Sequence, residues 1–203
     1  VFRFRGSVFS FKLSKLTSKK ITDNTTDPQS RTGLVTVFTG DGKGKTTAAI
    51  GTIVRAAGYG IKVGVIFFLK GKMFSQGEVS VLKNLPTVTV FNFGIEQWLK
   101  KGQFDLSATQ QARQALAKAS EIIKSGDYEL VVLDEINGAV DFGLISVSDV
   151  LSVLANRPKA LDLILTGRNA DAGIIEIADV VTEMNSIKHA FERGITARLG
   201  IDY

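Results

Sequence analysis

Apolar residues in this chain gather into short continuous runs, set apart by longer stretches in which they recur every three or four positions. The runs fall at 34–38, 62–69, 87–93, 130–133, 161–165 and 179–183 and read as buried strands. Between them, 46–57 carries an Ala-rich helical face, 107–124 has the spacing of a long amphipathic helix with Asp105 and Ser107 as candidate caps, and 147–154 reads as a helix stopped by Arg157-Pro158. Strands alternating with helices predict an α/β fold of the P-loop NTPase-like kind, a mostly parallel sheet flanked by helices. No internal repeat of 20–50 residues is visible, which excludes a solenoid or a propeller.

A length of 203 residues suits one such domain with a tail. The pattern predicts a basic N-terminal arm over 1–32, probed no further by periodicity, and an α/β domain over 33–203. The formal charge of +5 suggests nucleic acid until it is divided along the chain. Seven basic residues (Arg3, Arg5, Lys12, Lys15, Lys19, Lys20 and Arg31) stand against Asp23 and Asp27 in the arm, whereas the remainder balances eighteen against eighteen. The folded part therefore has no basic excess, and no nucleic-acid partner is expected. The arm also carries Phe2, Phe4, Phe9 and Phe11 and reads as a linker or flexible arm, with a targeting segment as the alternative. No apolar run reaches the roughly 18 residues a membrane helix needs, so a cytoplasmic protein without membrane contact is expected. The absence of cysteine excludes disulfides, thiolate metal sites and cysteine nucleophiles.

Candidate chemistry lies at the carboxyl ends of the predicted strands, where open α/β sheets bind their ligands. Thr39-Gly40-Asp41-Gly42-Lys43-Gly44-Lys45-Thr46-Thr47 sits between a strand and a helix, the setting of a phosphate-binding loop. Gly40, Gly42 and Gly44 let the backbone curl so that N–H groups meet phosphate oxygens, Lys45 supplies positive charge, and the Thr46 hydroxyl suits Mg²⁺. The loop is one residue shorter than the general spacing, since Thr39 stands five positions before Gly44, and it carries a second lysine, Lys43. The strand at 130–133 ends in Asp134-Glu135, matching the metal-holding acidic strand of P-loop proteins.

These segments resemble the P-loop family of ATP:corrinoid adenosyltransferases. The likeness runs through Val37 to Ala49, Phe68-Leu69-Lys70-Gly71, Gly77-Glu78, Leu133-Asp134-Glu135-Ile136-Asn137, Gly143-Leu144, Leu165-Thr166-Gly167-Arg168-Asn169-Ala170 and Gly194-Ile195-Thr196-Ala197-Arg198, covering residues 33–203. The resemblance implies attack of Co(I) in a corrinoid on C5′ of ATP with release of triphosphate. It implies ATP lying reversed in the short loop, and Mg²⁺ or Mn²⁺ held by Thr46 and Glu135 with Asp134 in support. Lys43, Lys45 and Glu135 then serve catalysis. Gly40 to Thr47 together with Arg168 and Asn169 bind nucleotide, and Lys70, Glu78 and Trp98 line the corrinoid pocket. A homodimer and a flavoprotein reductant are further family expectations. His189, the one histidine, reads as structural rather than as a cobalt ligand. The chain departs from the family pattern at Glu96, where phenylalanine is expected before Trp98, at Asp171 for proline, and at Asp41 for asparagine, whose added charge Lys43 would offset. The alternatives are another P-loop ATPase or kinase, and a nucleotide-switched binding module.

Overall fold

The computed structural model describes residues 32–70, 77–94 and 106–202. Its frame is a six-stranded parallel sheet in the order β3-β2-β4-β5-β1-β6. The strands are β1 (Val35–Thr39), β2 (Val63–Phe67), β3 (Val88–Asn92), β4 (Leu130–Asp134), β5 (Asp162–Thr166) and β6 (Val180–Glu183). Each corresponds to one of the apolar runs. The helices are α1 (Lys45–Gly58), α2 (Gly77–Leu82), α3 (Leu106–Ser125), α4 (Ile136–Asp141), α5 (Val147–Ala155) and α6 (Ala172–Ile177). α2, α4 and α6 are six residues each, too short to develop the repeating apolar spacing that marked α1, α3 and α5. α3 starts at Leu106, which puts Ser107 inside its first turn, and Asp105 lies outside the described residues.

The continuous apolar character of β2, β4 and β5 follows from their burial on both faces, whereas β3 is only partly buried and β6, read from its apolar run as a buried strand, is exposed along its whole length because it lies at the edge of the sheet. Val131, Leu133, Leu163 and Leu165 pack on one side with α3, α4, α5 and α6, while Leu130, Val132 and Ile164 pack on the other with α1 and α2. α3 meets the sheet through Ala108, Ala112, Ala115 and Ala119, all fully or nearly fully buried, so that its backbone comes close to the strands. At Gly64 of β2 the approach is tightest, for a Cβ there would lie 2.9 Å from Ile122 Cδ1. α1 crosses the opposite face over β1, β5, β4 and β2, burying Ala49, Ile53 and Ala56.

The strand order decides where the chemistry gathers. β4, β5, β1 and β6 are consecutive neighbours, and their register pairs Leu133 with Leu165, Phe38 with Thr166 and Thr39 with Glu183. Four carboxyl ends, at Thr39, Asp134, Thr166 and Glu183, therefore open onto one rim. Among the described residues no helix is long and apolar enough to cross a membrane.

Leu163 is fully buried at the centre of the sheet. Leu163→Ala is expected to cost about 2–5 kcal/mol of unfolding free energy in a denaturant titration, because a buried cavity would remain. A loss below ~1 kcal/mol would mean that the core collapses around the deletion.

Candidate active site

The loop between β1 and α1 turns twice through left-handed backbone, at Gly40 (φ 90°) and Gly44 (φ 112°). A side chain at Gly40 would also strike Met184 O at 2.5 Å, and one at Gly42 would meet the same atom at 2.7 Å. Steric fit thus requires both glycines, since the strand-end segment following β6 lies directly against the loop. Gly42 N–H donates to Met184 O at 2.6 Å, and Met184 N–H donates to Thr39 O at 2.8 Å.

Lys45, the first residue of α1, is buried and folds its ammonium back over the loop, donating to Gly40 O at 2.6 Å and to Gly42 O at 2.8 Å. Burial pulls its pKa below the usual lysine range, against the pull of Glu135, with the Arg168 guanidinium lowering it further and Asp41 and Asp134 opposing more weakly. The lysine is therefore a desolvated cation in the mouth of the loop, where an anion gains most from it. Thr46 follows it on the first turn of α1, and with Asp134 it lines one small void between that helix and the sheet.

Asp134 ends β4 as a carboxylate only 1% exposed. Its Oδ1 accepts from Thr166 Oγ1 at 2.7 Å, and its Oδ2 lies 2.9 Å from Lys70 Nζ. Thr166 at the end of β5 does a second thing: its Oγ1 accepts from Glu135 N–H at 2.9 Å. One hydroxyl thus joins the ends of two strands and holds Glu135 in left-handed backbone, φ 63°. Burial raises the Glu135 pKa, repulsion from Asp134 adds to the rise, and Lys70, Lys45 and Arg168 only partly offset it.

Lys70 and Glu78, expected beside the corrinoid, meet each other at 3.6 Å, and Lys70 also reaches Asp134. The Lys70 ammonium lies 4.9 Å from the centre of the Phe67 ring. Burial draws the Lys70 pKa down, yet Asp134, Glu78 and Glu135 outweigh it and leave a net rise, so this lysine stays protonated. Trp98 and Glu96 lie outside the described residues.

Arg168 and Asn169 reach the same rim on the turn after β5. Gly167 (φ 133°) and Asn169 (φ 51°) set that turn, and a Cβ on Gly167 would lie 2.6 Å from Gly138 N. Arg168 lies 3.9 Å from the Asp41 carboxylate and donates from Nη2 to Asp41 O at 3.4 Å. The charge that Asp41 adds is thus met by Arg168 in the ligand-free structure, whereas Lys43, expected to offset it, pairs with Asp202. Asn169 donates to Asp141 Oδ2 at 3.1 Å, which turns it toward α4. Ala170 N–H donates to Thr39 Oγ1 at 3.1 Å and ties this turn to the end of β1.

Two other sequence readings find structural roles. His189 Nδ1 accepts from Phe191 N–H at 3.1 Å and caps the 3₁₀ turn Ala190–Arg193. Asp171 caps α6 by accepting from Gly173 N–H at 2.8 Å, a task that the proline expected there has no side-chain acceptor to perform. Thr166, Met184 and Asp202 were not singled out from sequence. Thr166 left one legible mark, a hydroxyl closing the apolar run Leu163-Ile164-Leu165; Met184 O is a backbone group, and Asp202 is 159 residues from Lys43.

The donor set fits a hard divalent cation. Thr46 offers a hydroxyl and Glu135 a carboxylate whose charge is destabilised by burial and by Asp134, the two conditions that favour an oxygen-ligated Mg²⁺ or Mn²⁺. Asp134 is already engaged by Lys70 and Thr166.

A glycine-turned loop on a helix N-terminus, a lysine in its mouth and an acidic strand end two strands away together define a P-loop nucleotide-binding domain. The fold resembles that of the flagellar accessory protein FlaH from Methanocaldococcus jannaschii, with a TM-score of 0.50 over 75% of this chain and 71% of that one at 9% identity. Residues 31–203 match the family described as ATP:corrinoid adenosyltransferase BtuR/CobO/CobP. The corrinoid adenosyltransferase of Escherichia coli (strain K12) is 36% identical over 185 residues, 91% of this chain and 93% of its own. That of Pseudomonas aeruginosa is 37% identical over 171 residues, 84% of each chain. The corrinoid adenosyltransferase CobA of Salmonella typhimurium is 36% identical over 175 residues, 86% of this chain and 88% of its own. The chain belongs to the ATP:corrinoid adenosyltransferase family, a family of transferases.

Because the Glu135 pKa is raised in the folded state, its contribution to stability is fully present below the unfolded carboxylate pKa and is lost as pH rises through the folded value. Glu135→Gln is therefore expected to raise the Tm of the ligand-free protein at neutral pH, with the gain fading as the pH falls into the ordinary carboxylate range. The same variant is expected to weaken metal-dependent ATP binding. Thermal melts across pH check this, and a lower Tm at neutral pH would refute it.

Proposed function

We propose that this chain transfers the 5′-deoxyadenosyl group of ATP to Co(I) of a corrinoid, with inorganic triphosphate as the leaving group, in the making or salvage of the adenosylated corrinoid. The observation that carries the proposal is Lys45, desolvated and directed across the mouth of a shortened phosphate loop, near a strand end at which Asp134 is held by Thr166 and Lys70. In the reaction a cobalt–carbon bond forms as Co(I) donates its electron pair to C5′, and the C5′–O bond breaks with its pair leaving on triphosphate. Co(I) is already a strong nucleophile, so no general base is called for. The protein has to align three atoms and to stabilise charge growing on the triphosphate.

Gly40 to Thr47 cradle the triphosphate in this reading. The N–H groups at the start of α1 and the Lys45 ammonium meet its oxygens, with Lys43 as a second cation and Arg168 approaching from the turn after β5. Asn169 borders the nucleotide on that same turn. A divalent cation bound by Thr46 and Glu135 would neutralise phosphate charge and lower the cost of the leaving group. Lys70 keeps Asp134 neutralised, which leaves Glu135 as the carboxylate for that cation. The corrinoid is assigned to the side bearing Lys70 and Glu78; Trp98, expected beside it, lies outside the described residues. Exposed Ile187, Phe191, Leu199 and Ile201 favour a homodimer; the phenylalanines of the N-terminal arm, proposed as a cover for the site, lie outside the described residues. A flavoprotein is proposed as the source of the electron that makes Co(I).

The direct test mixes protein, ATP, Mg²⁺ and chemically reduced cobalamin without oxygen. Light-sensitive adenosylcobalamin is expected together with an equal amount of triphosphate. Orthophosphate without a cobalt–carbon product would establish a P-loop ATPase instead. Lys45→Ala should lower ATP affinity roughly ten- to a hundredfold, the scale of a lost charged hydrogen bond, while retaining the fold by circular dichroism. Deleting residues 1–30 is expected to reduce both turnover and dimer formation, measured by activity and light scattering. Unchanged values for both would refute the role given to the arm.

A further inference from the structure

The segment following β6 grips the phosphate loop at two successive residues. Gly42 is anchored through its backbone N–H to Met184 O, and the next side chain, Lys43, places its ammonium on the carboxylate of Asp202. Asp202 is the better fixed of the two partners: its side chain is 16% exposed and that of Lys43 is 51% exposed. Its second oxygen accepts from Arg198 N–H at 2.9 Å and from Arg198 Nε–H at 3.0 Å, while Asp202 N–H donates back to Arg198 O at 2.8 Å. The carboxylate is therefore oriented by its own turn, whether or not Lys43 is there. Lys43 contributes the flexible arm.

We propose that Asp202 is a positioning residue that holds Lys43 at the rim of the phosphate loop in the ligand-free enzyme, yields it to the triphosphate when ATP binds, and recaptures it as triphosphate leaves. The proposal rests on the reading of Lys43 as a phosphate contact. Three features of the structure support the exchange. The Gly42 anchor gives Lys43 a fixed base from which its side chain swings. A bound triphosphate carries several negative charges beside that base and outcompetes a single carboxylate for a half-exposed ammonium. Release leaves the Asp202 carboxylate held in place through its other oxygen, because Arg198 continues to donate to Oδ2. Lys45 behaves differently: its partners are the loop's own carbonyls, so it remains in the mouth of the loop throughout. Asp202 consequently competes with ATP and with the leaving triphosphate for one cation, which weakens the hold on both and hastens product departure.

The experiment compares the parent with Asp202→Asn, Lys43→Met and the double variant in the full chain. ATP and inorganic triphosphate affinities are measured by calorimetry with Mg²⁺ present, and triphosphate release is followed in single turnover. Asparagine keeps an oxygen for the Arg198 bonds and removes only the charge. Asp202→Asn is expected to tighten both ligands roughly two- to fivefold, the worth of a partly exposed ion pair, and to slow triphosphate release. In the Lys43→Met background the tightening should vanish. No tightening, or equal tightening with and without Lys43, would overturn the exchange and reduce Asp202 to an organiser of its own turn. If Lys43→Met alone left ATP affinity unchanged, the reading of Lys43 as a phosphate contact would fail, a result separable from the first and fatal to the exchange as well.

Discussion

A carboxylate that is almost wholly buried at the end of a central strand governs the site. Asp134 can remain charged there only with partners, and it has two: Thr166 Oγ1 and the Lys70 ammonium. Because Thr166 comes from β5 and Lys70 from the end of β2, neutralising this one charge ties together three neighbouring strands. The same threonine hydroxyl accepts from Glu135 N–H and so sets the backbone of the next carboxylate. Two adjacent acids thereby acquire unlike environments, Asp134 compensated and Glu135 under-compensated.

The cations of the rim are distributed by the same logic. Lys45 is satisfied by loop carbonyls, Lys43 by Asp202, Arg168 by Asp41, and Lys70 by Asp134 and Glu78. A concentration of like charge that would repel itself is in this way dispersed among acids and carbonyls drawn from four parts of the chain. The charges differ in how firmly they are bound. Lys45 and Lys70 are enclosed, whereas Lys43 and Arg168 are half or more exposed and can change partners at little cost. Under the proposed exchange, binding of a triphosphate is largely a change of partners by the exposed cations around a fixed centre, which limits the reorganisation needed at the reacting end.

Departures from the family pattern are informative in the same physical terms. Asp171 stands where proline is common and caps α6 with its side chain, so the helix start is secured by a different group. Asp41 brings negative charge to the phosphate loop and with it a partner for Arg168, which draws the turn after β5 toward the loop. Both changes preserve the position of a backbone segment by replacing a local constraint with a polar contact.

Local pattern determined a great deal about this protein. Continuous apolar runs located all six strands, although only β2, β4 and β5 are buried on both faces and carry that signal for this reason, while the edge strand β6 is exposed; the spacing of α1, α3 and α5 marked the long helices. The glycines and lysines from Gly40 to Lys45 declared a phosphate loop because the steric need for glycine and the need for charge fall within a few consecutive positions. What the chain alone left open was decided by strand order and register. Those bring Thr166 beneath Asp134 and Glu135, Met184 O onto Gly42, Lys70 onto Asp134 and Asp202 onto Lys43. The short helices α2, α4 and α6 belong to this second category, being too brief to show a period and formed where the strand ends leave room. Contacts between residues 30 to 160 positions apart carry no local signature, because a pairwise interaction constrains the distance between two side chains and neither one's neighbours in sequence.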